Sequence, residues 1–441
     1  MRAERRYLLG PLERRGLVAG WRAGQVAVVA VGCAFAGALV ALSTSPPGIV
    51  AALVAVTLGL ASATIPLGGR TIDEWIPSLV SFAVTRRRNV ILDVEVVDSA
   101  TLGAHGGIGV VRHRSGALSV TLALDSTGIS LLEAEATDRR VDGFLAALGA
   151  LAREGCGVDR IGWSASVAPD PGDQLVRDAR RRGAGGVEAA QVSYRALLAA
   201  SAPIGLVRRV ELTLRISQVA RRGQSPIAVL LEEVQVVSTA LEDAGHRRCR
   251  LLERDELRER LGLGTTMTGD DDSRLRVTGT SRFDSITVAD RSIVTWWVAG
   301  WPRTDVTAEL LAPLLLGGVA RSMAVVFEPV APSAALRRAA SARTSEIADA
   351  EIRRRGGFLA DRRQQRQREH TESREAELVD GHGSLRVSGF VAVAAHEPEE
   401  LERVVAETEL AAAQTRLELR RLQGDHARGV VATLPLAAGL P

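Results

Sequence analysis

Lysine is absent from this 441-residue chain, and all 55 basic residues are arginine. That absence excludes the standard forms of several reaction classes. A P-loop needs Lys on the β/γ-phosphates, a protein kinase needs its strand Lys, and a pyridoxal enzyme needs a Schiff-base Lys. Cysteine is nearly absent too: Cys33, Cys156 and Cys249 lie far apart without a CxxC pair. This excludes a disulfide scaffold and fits a reducing compartment for the soluble part. Aromatics are 3% of the chain, so its cores rest on aliphatic side chains. Nor is there a large excess of one charge: the formal net charge is +3, and no global field marks a nucleic-acid binder. What remains is a foldable composition, 46% hydrophobic, with length for about three domains.

The strongest positive signal lies in the first 90 residues. Val26 to Leu42 and Ile49 to Leu67 are uncharged apolar runs separated by Ser-Thr-Ser-Pro-Pro-Gly. As helices they reach roughly 26 and 28 Å, close to the ~30 Å hydrocarbon core of a bilayer. So short a connection predicts a transmembrane helical hairpin within a membrane anchor over 1–88. Arg2, Arg5, Arg6, Arg14, Arg15 and Arg22 precede it, and Arg70 and Arg86 to Arg88 follow it. The positive-inside rule then places both termini in the cytoplasm, with Trp21, Arg22, Arg70 and Trp75 at the membrane interface. Two other readings are open. One is a hairpin buried in a globular core; the other is a cleaved signal, suggested by Arg5-Arg6-Tyr-Leu-Leu. The length of the runs and the second arginine flank weigh against both.

Small residues recur every fourth position along the spans: Ala51, Ala55, Gly59 and Ala63 in the second, and Ala30, Ala34, Ala38 and Cys33, Gly37, Ala41 in the first. Such stripes let helix backbones approach closely, within the hairpin or against a partner's span. Thr71-Ile-Asp-Glu74 then reads as a capping box opening a juxtamembrane helix over 71–88. That helix is expected either on the inner leaflet or as the first core helix of the soluble region.

From Asn89 the pattern becomes α+β. Residues 89–332 read as strands alternating with amphipathic helices, with a seam at the loop 262–274. Residues 333–380 read as a charged helical hairpin interrupted at Gly356-Gly357, and 381–441 as a C-terminal βαββ unit. Two βαβ-type units suggest ferredoxin-like sandwiches carrying an inserted charged hairpin. Few apolar positions occur in that hairpin, so it is expected to be solvated, with docking to a partner protein as its functional alternative.

Catalytic and metal-binding constellations are weak. His105-Gly-Gly-Ile-Gly109 resembles an esterase oxyanion loop, yet Gly162-Trp-Ser-Ala-Ser166 is an incomplete nucleophile elbow within a strand. Asp270 to Asp272 and the isolated pair His246 and Cys249 lack further ligands at metal spacing. No catalytic residue, cofactor or metal is therefore assigned. Trp296, Trp297 and Trp301 concentrate aromatic area in one strand and its exit. Alternation sends Trp296 and Trp297 to opposite faces, so core packing and a partner-facing anchor are both open.

Taken together, several segments resemble a family of actinobacterial conjugation-associated membrane proteins, encoded beside a type IV secretion-like ATPase. The segments are Gly10-Pro-Leu-Glu-Arg-Arg-Gly16, Gly20-Trp-Arg-Ala-Gly-Gln25, the two spans, Gly69-Arg70 with Trp75-Ile-Pro77, and Trp301-Pro302. Arg354-Arg-Gly-Gly-Phe-Leu359, Leu385-Arg-Val-Ser-Gly-Phe390, Leu417-Glu-Leu-Arg-Arg-Leu422 and Leu434-Pro-Leu436 complete the set. The resemblance implies a two-span inner-membrane subunit of a type IV secretion system, joined to a soluble part like the N-terminal, non-ATPase domain of VirB/TraC-type ATPases. Implied partners are a secretion ATPase in trans, other inner-membrane secretion subunits and the lipid bilayer; an oligomer is expected and direct nucleic-acid contact is not. A type VII secretion membrane component and a membrane-tethered hydrolase using His105 and Ser164 are the rival expectations.

Overall fold

A computed structural model describes residues 23–42, 45–64, 71–85, 89–124, 132–169, 206–217, 225–246, 249–263, 273–302, 306–355 and 383–439, with isolated positions at 190–197, 376 and 378. Three helices open the chain: α1 (Ala23–Leu42), α2 (Pro46–Thr64) and α3 (Ile72–Thr85). The rest builds one sheet in which every pairing is antiparallel.

The first half of that sheet runs β1 (Val90–Asp98), β2 (Gly109–Arg112), β3 (Leu118–Leu124), α4 (Ala134–Ala150), β4 (Val158–Pro169), β5 (Leu206–Ile216), α5 (Pro226–Asp243), β6 (Arg250–Leu251) and α6 (Arg254–Leu261). The second half repeats the order: β7 (Arg274–Ser281), β8 (Ile286–Val288), β9 (Arg291–Gly300), α7 (Ala312–Leu315), β10 (Arg321–Val330), α8 (Pro332–Arg355), β11 (Ser384–Ala395), α9 (Pro398–Gln414), β12 (Glu418–Arg421) and α10 (His426–Thr433). The pairing repeats as well. Strand orders β6-β3-β5-β4 and β12-β9-β11-β10 are the same split β-α-β-β-α-β pattern, each extended by a three-strand meander.

Hydrogen bonds make the correspondence residue-specific. Leu252 N donates to Thr121 O, and Leu422 N to Thr295 O, both at 2.9 Å. With Thr121 matched to Thr295 and the ladders followed outward, Leu92 is matched to Val277 and Ser164 to Ala324. Each of these is also the other's cross-strand neighbour at the seams β1–β7 and β4–β10. The two halves are thus related by a pseudo-twofold axis through both seams.

Because both seams pair and β9 pairs β11, ten strands close into a ring. The sequence-based expectation is met in its mixed α/β character and in its two apolar N-terminal helices. It is corrected in architecture, because a closed barrel stands where separate sandwiches were expected. The strand order repeats on either side of residues 264–272, between α6 and β7, within the stretch 262–274 that the sequence marks as a seam. The charged segment lies inside the second half, as an insertion between β10 and β11, and 170–205 is the matching insertion between β4 and β5. The βαββ unit expected over 381–441 lacks its last strand: 426–433 is helix, followed by a bend and turn over 434–436.

Apolar periodicity decides which helices lie outside. Ile227, Leu230, Val234, Val237 and Leu241 of α5 recur every three or four residues. With α4 they pack on outer-face positions such as Val120, Leu122, Leu212 and Leu214. α9 covers the outer face of the second half over Val391, Val393 and Trp296. α10 instead packs against β1, β9, β10 and β11, strands from opposite sides of the ring, and so occupies the lumen. Its His426 is buried, and the ring Nδ1 accepts from Thr295 N at 3.1 Å. That donor sits where β8 has stopped, at Ile293, and β12 has not begun, at Trp296.

The tail after α10 crosses into the first half. Leu434, Leu436 and Ala437 are buried, and Thr121 Oγ1 donates to Pro435 O at 3.3 Å. A Cβ on Gly162 would stand 2.9 Å from Ala437 Cα, so only glycine admits the tail. Gly162→Ala is expected to cost ~1–3 kcal/mol through overpacking, measured by thermal or denaturant unfolding. Gly149→Ala, whose Cβ meets nothing within 4 Å in α4, is the control and is expected to gain ~0.5–1 kcal/mol.

Candidate membrane anchor

α1 and α2 are each long and apolar enough to cross a membrane, and only 6% and 11% of their spans are buried. The rest of the chain therefore leaves these helices largely uncovered. They run 23–42 and 46–64, beginning three residues before the predicted 26–42 and 49–67.

The helices cross at glycines: a Cβ on Gly32 would lie 3.3 Å from Gly59 Cα, and 3.5 Å from Ala55 O. Ala63 is fully buried, and its carbonyl accepts from Gln25 Nε2 at 2.8 Å. Ala55, Gly59 and Ala63 therefore pack within the hairpin, which answers the choice left open by the sequence. Ala51 is exposed, and the buried Ala52 takes the place expected for it. In α1 the packed positions are Gly32 and Ala36, whereas both predicted stripes, Ala30-Ala34-Ala38 and Cys33-Gly37-Ala41, face outward.

α3 joins the hairpin to the barrel. Trp75 stacks on Phe283 with ring centroids 5.8 Å apart, and Phe82 meets the same ring edge-on at 5.6 Å. Beneath them lies Gly424, whose positive φ of 78° suits glycine and whose added Cβ would be 2.9 Å from Ser78 O. Trp75, expected at the membrane interface, packs on the barrel through Phe283. Trp21, Arg22 and Arg70 lie outside the described residues. Phe283 and Gly424 went unnoticed in the sequence, because a single Phe in a turn and a single Gly in a loop belong to no period or motif.

The three tryptophans of the second half serve its own cores. Trp296 is 1% exposed under α9; its Nε1 donates to Glu409 at 3.2 Å, and Arg421 lies over its ring. Trp297 points into the lumen beside Phe390, Leu422 and Ala432, and Trp301 is buried in the outer core. Trp296 and Trp297 take opposite faces, as alternation predicts.

Across β3, β4 and β5 the lumen is polar. Asp159 accepts from Arg215 at 2.6 Å, and Arg160 pairs with Glu328 at 3.1 Å. Glu211 is buried next to Arg260, at 3.4 Å, and burial pushes its carboxyl above the usual range. Ser164, its cross-strand neighbour, is buried there too, whereas His105 is exposed on the loop before β2. The structure does not bring Ser164 and His105 together. The loop carrying His105 is shaped by Asp98, whose carboxylate accepts from Ala100 N and Gly107 N. His246 Nε2 lies 3.3 Å from Arg140 O, and no group of three or more metal-ligating side chains occurs among the described residues. Asp270 to Asp272 lie outside them.

Compared with known proteins, the chain matches no protein-family model and no curated protein.

These contacts can be tested at two places. Phe283→Ala removes two aromatic pairs worth ~0.5–1.5 kcal/mol each. It is expected to lower amide-exchange protection of α3 while leaving barrel strands protected; unchanged protection of α3 would show that the seat is not a restraint. His113, 2.9 Å from Ser119 Oγ, is pushed down to about 4 by burial and by the Arg215 and Arg160 cations, which outweigh Asp159. The unfolded chain takes up this proton near pH 6.5 and the native one only near 4. Stability from this site is therefore complete above about pH 6.5 and is lost as pH falls toward 4, by ~3 kcal/mol at most. Urea unfolding across that window should show the loss, and His113→Gln should flatten it.

Proposed function

We propose that this protein is a non-enzymatic scaffold of the cytoplasmic membrane, a structural subunit of a type IV secretion-like or conjugal transfer complex. Its hairpin spans the bilayer with both termini on the cytoplasmic side, and its barrel is held at the membrane to receive a separate secretion ATPase. The observation that carries this reading is the coupling of an uncovered apolar hairpin to a barrel whose lumen is filled. α10 and the tail from Leu434 to Ala437 occupy the space a substrate or a conduit would need.

A scaffold also agrees with the lack of lysine, since the motor's phosphate-binding Lys has to come from another chain. The outer cores are covered by α4, α5 and α9, and the polar helix α8 offers a surface to partners. Around the ring, strand direction alternates, so β10 ends on the side where β1 begins. The charged insertion accordingly leaves the barrel at the end that α3 attaches to the hairpin, where other membrane subunits would stand.

The experiment is affinity purification of the detergent-solubilised full chain from its native cell, with and without residues 333–380. Recovery of a Walker-A ATPase with the intact chain, reduced about tenfold or more by the deletion, is the expected result. Recovery of type VII secretion subunits instead would support that rival. ATP turnover by the purified chain alone would overturn the scaffold reading.

A further inference from the structure

α3 carries two apolar stripes, and the barrel uses only one of them. Trp75, Ser78 and Phe82 form the seat on Phe283 and Gly424. Ile76, Leu79 and Val80 are 48%, 50% and 57% exposed, and Ala83 beside them is exposed too. At 3.6 residues per turn, the two stripes are turned from each other by about 115°. A continuous apolar stripe on one helix differs from the single exposed apolar side chains of the barrel, such as Leu145, Val236 and Leu410.

Continuity identifies what covers it. α3 packs against both α1 and α2, so its open stripe extends the uncovered surface of the hairpin that carries Phe35, Leu53 and Leu58. In sequence the helix is bracketed by Arg70 and by Arg86 to Arg88, the cations that meet anionic headgroups at the edge of a span.

We propose that α3 lies in the plane of the membrane interface, with Ile76, Leu79, Val80 and Ala83 in lipid. Through Trp75 and Phe82 the same helix grips the barrel and fixes its rotation over the bilayer. This rests on the reading of α1 and α2 as membrane spans, and the test separates the two claims.

The full chain is reconstituted at low copy number into vesicles of phosphatidylcholine and phosphatidylglycerol containing nitroxide lipids. A thiol-linked environment-sensitive dye is placed at one site per preparation. The sites are native Cys33 in α1 (with Cys156→Ser and Cys249→Ser), or Val80→Cys, Leu79→Cys or Ser115→Cys with all three native cysteines replaced by serine. Cys33 and Ser115 are exposed, the latter on the β2–β3 turn. The expected result is that the dyes at residues 79 and 80 are quenched roughly threefold or more over the dye at 115, and by shallow nitroxides more than by deep ones. Quenching at 79 and 80 no greater than at 115 overturns the proposal, whether water, a second copy or a partner helix covers the stripe. If Cys33 is quenched by deep nitroxides in that case, the spans stand and only the placement of α3 falls. If Cys33 is not quenched, the anchor reading falls as well.

Discussion

Closing ten strands into a ring leaves none of those ten as an edge strand but creates an interior that has to be filled, and this requirement organises the molecule. The protein fills its lumen with its own chain. α10 reaches β1 on one side and β10 and β11 on another, and the tail beyond it passes Gly162 at the limit of close approach. Filling from within explains the placement of glycine at 162 and of a histidine at 426. The first admits a backbone; the second satisfies a strand donor that no neighbouring strand reaches.

The pseudo-twofold halves have diverged in what they offer that interior. The inner face of the second half is apolar, with Val326, Phe390 and Trp297, and takes α10. The first half presents Ser119, Thr121, Thr213, Glu211 and Arg215, a face that an apolar helix would leave unsatisfied. It receives the charged helix α6, whose Arg260 lies 3.4 Å from Glu211 and whose Leu257 and Leu261 pack with Val96 and Val111, together with the tail, whose Pro435 carbonyl accepts from Thr121. The last residues of the second half thereby complete the core of the first. Neither half has a finished interior alone, so the ring is one cooperative unit despite its duplicated plan.

Legibility in the sequence tracked the range of the interactions involved. The spans were plain because apolar length is local, and β3, β5, β9 and β11 were plain because alternation is local. The split β-α-β-β-α-β order was also within reach. Closure was not, since it depends on the pairs Leu92 with Val277 and Ser164 with Ala324, which join halves more than a hundred residues apart and carry no shared motif. The duplication hid for the same reason: beside the identical pairs Thr121 with Thr295 and Leu252 with Leu422, matched positions such as Leu122 with Trp296 and Leu251 with Arg421 share geometry and not residue type. In the anchor, the small-residue period of the second run includes the packed Ala55, Gly59 and Ala63, whereas the first run carries overlapping stripes and only contact with α2 selects Gly32 and Ala36. Trp75 was assigned to the interface because its partner, Phe283, lies about two hundred residues away in a turn.

The seat of α3 connects these two levels. A tether through a flexible linker would leave the barrel free to turn over the membrane, and the polar insertions would then face no particular direction. Aromatic stacking of Trp75 and Phe82 on Phe283, with Gly424 admitting the helix backbone, ties the hairpin to a turn between β7 and β8. Since β8 and β12 both pair with β9, that turn and Gly424 are held by the ring itself. Closure of the barrel thus gives α3 something rigid to grip, and the scaffold role proposed above would depend on that rigidity to present one face to a partner.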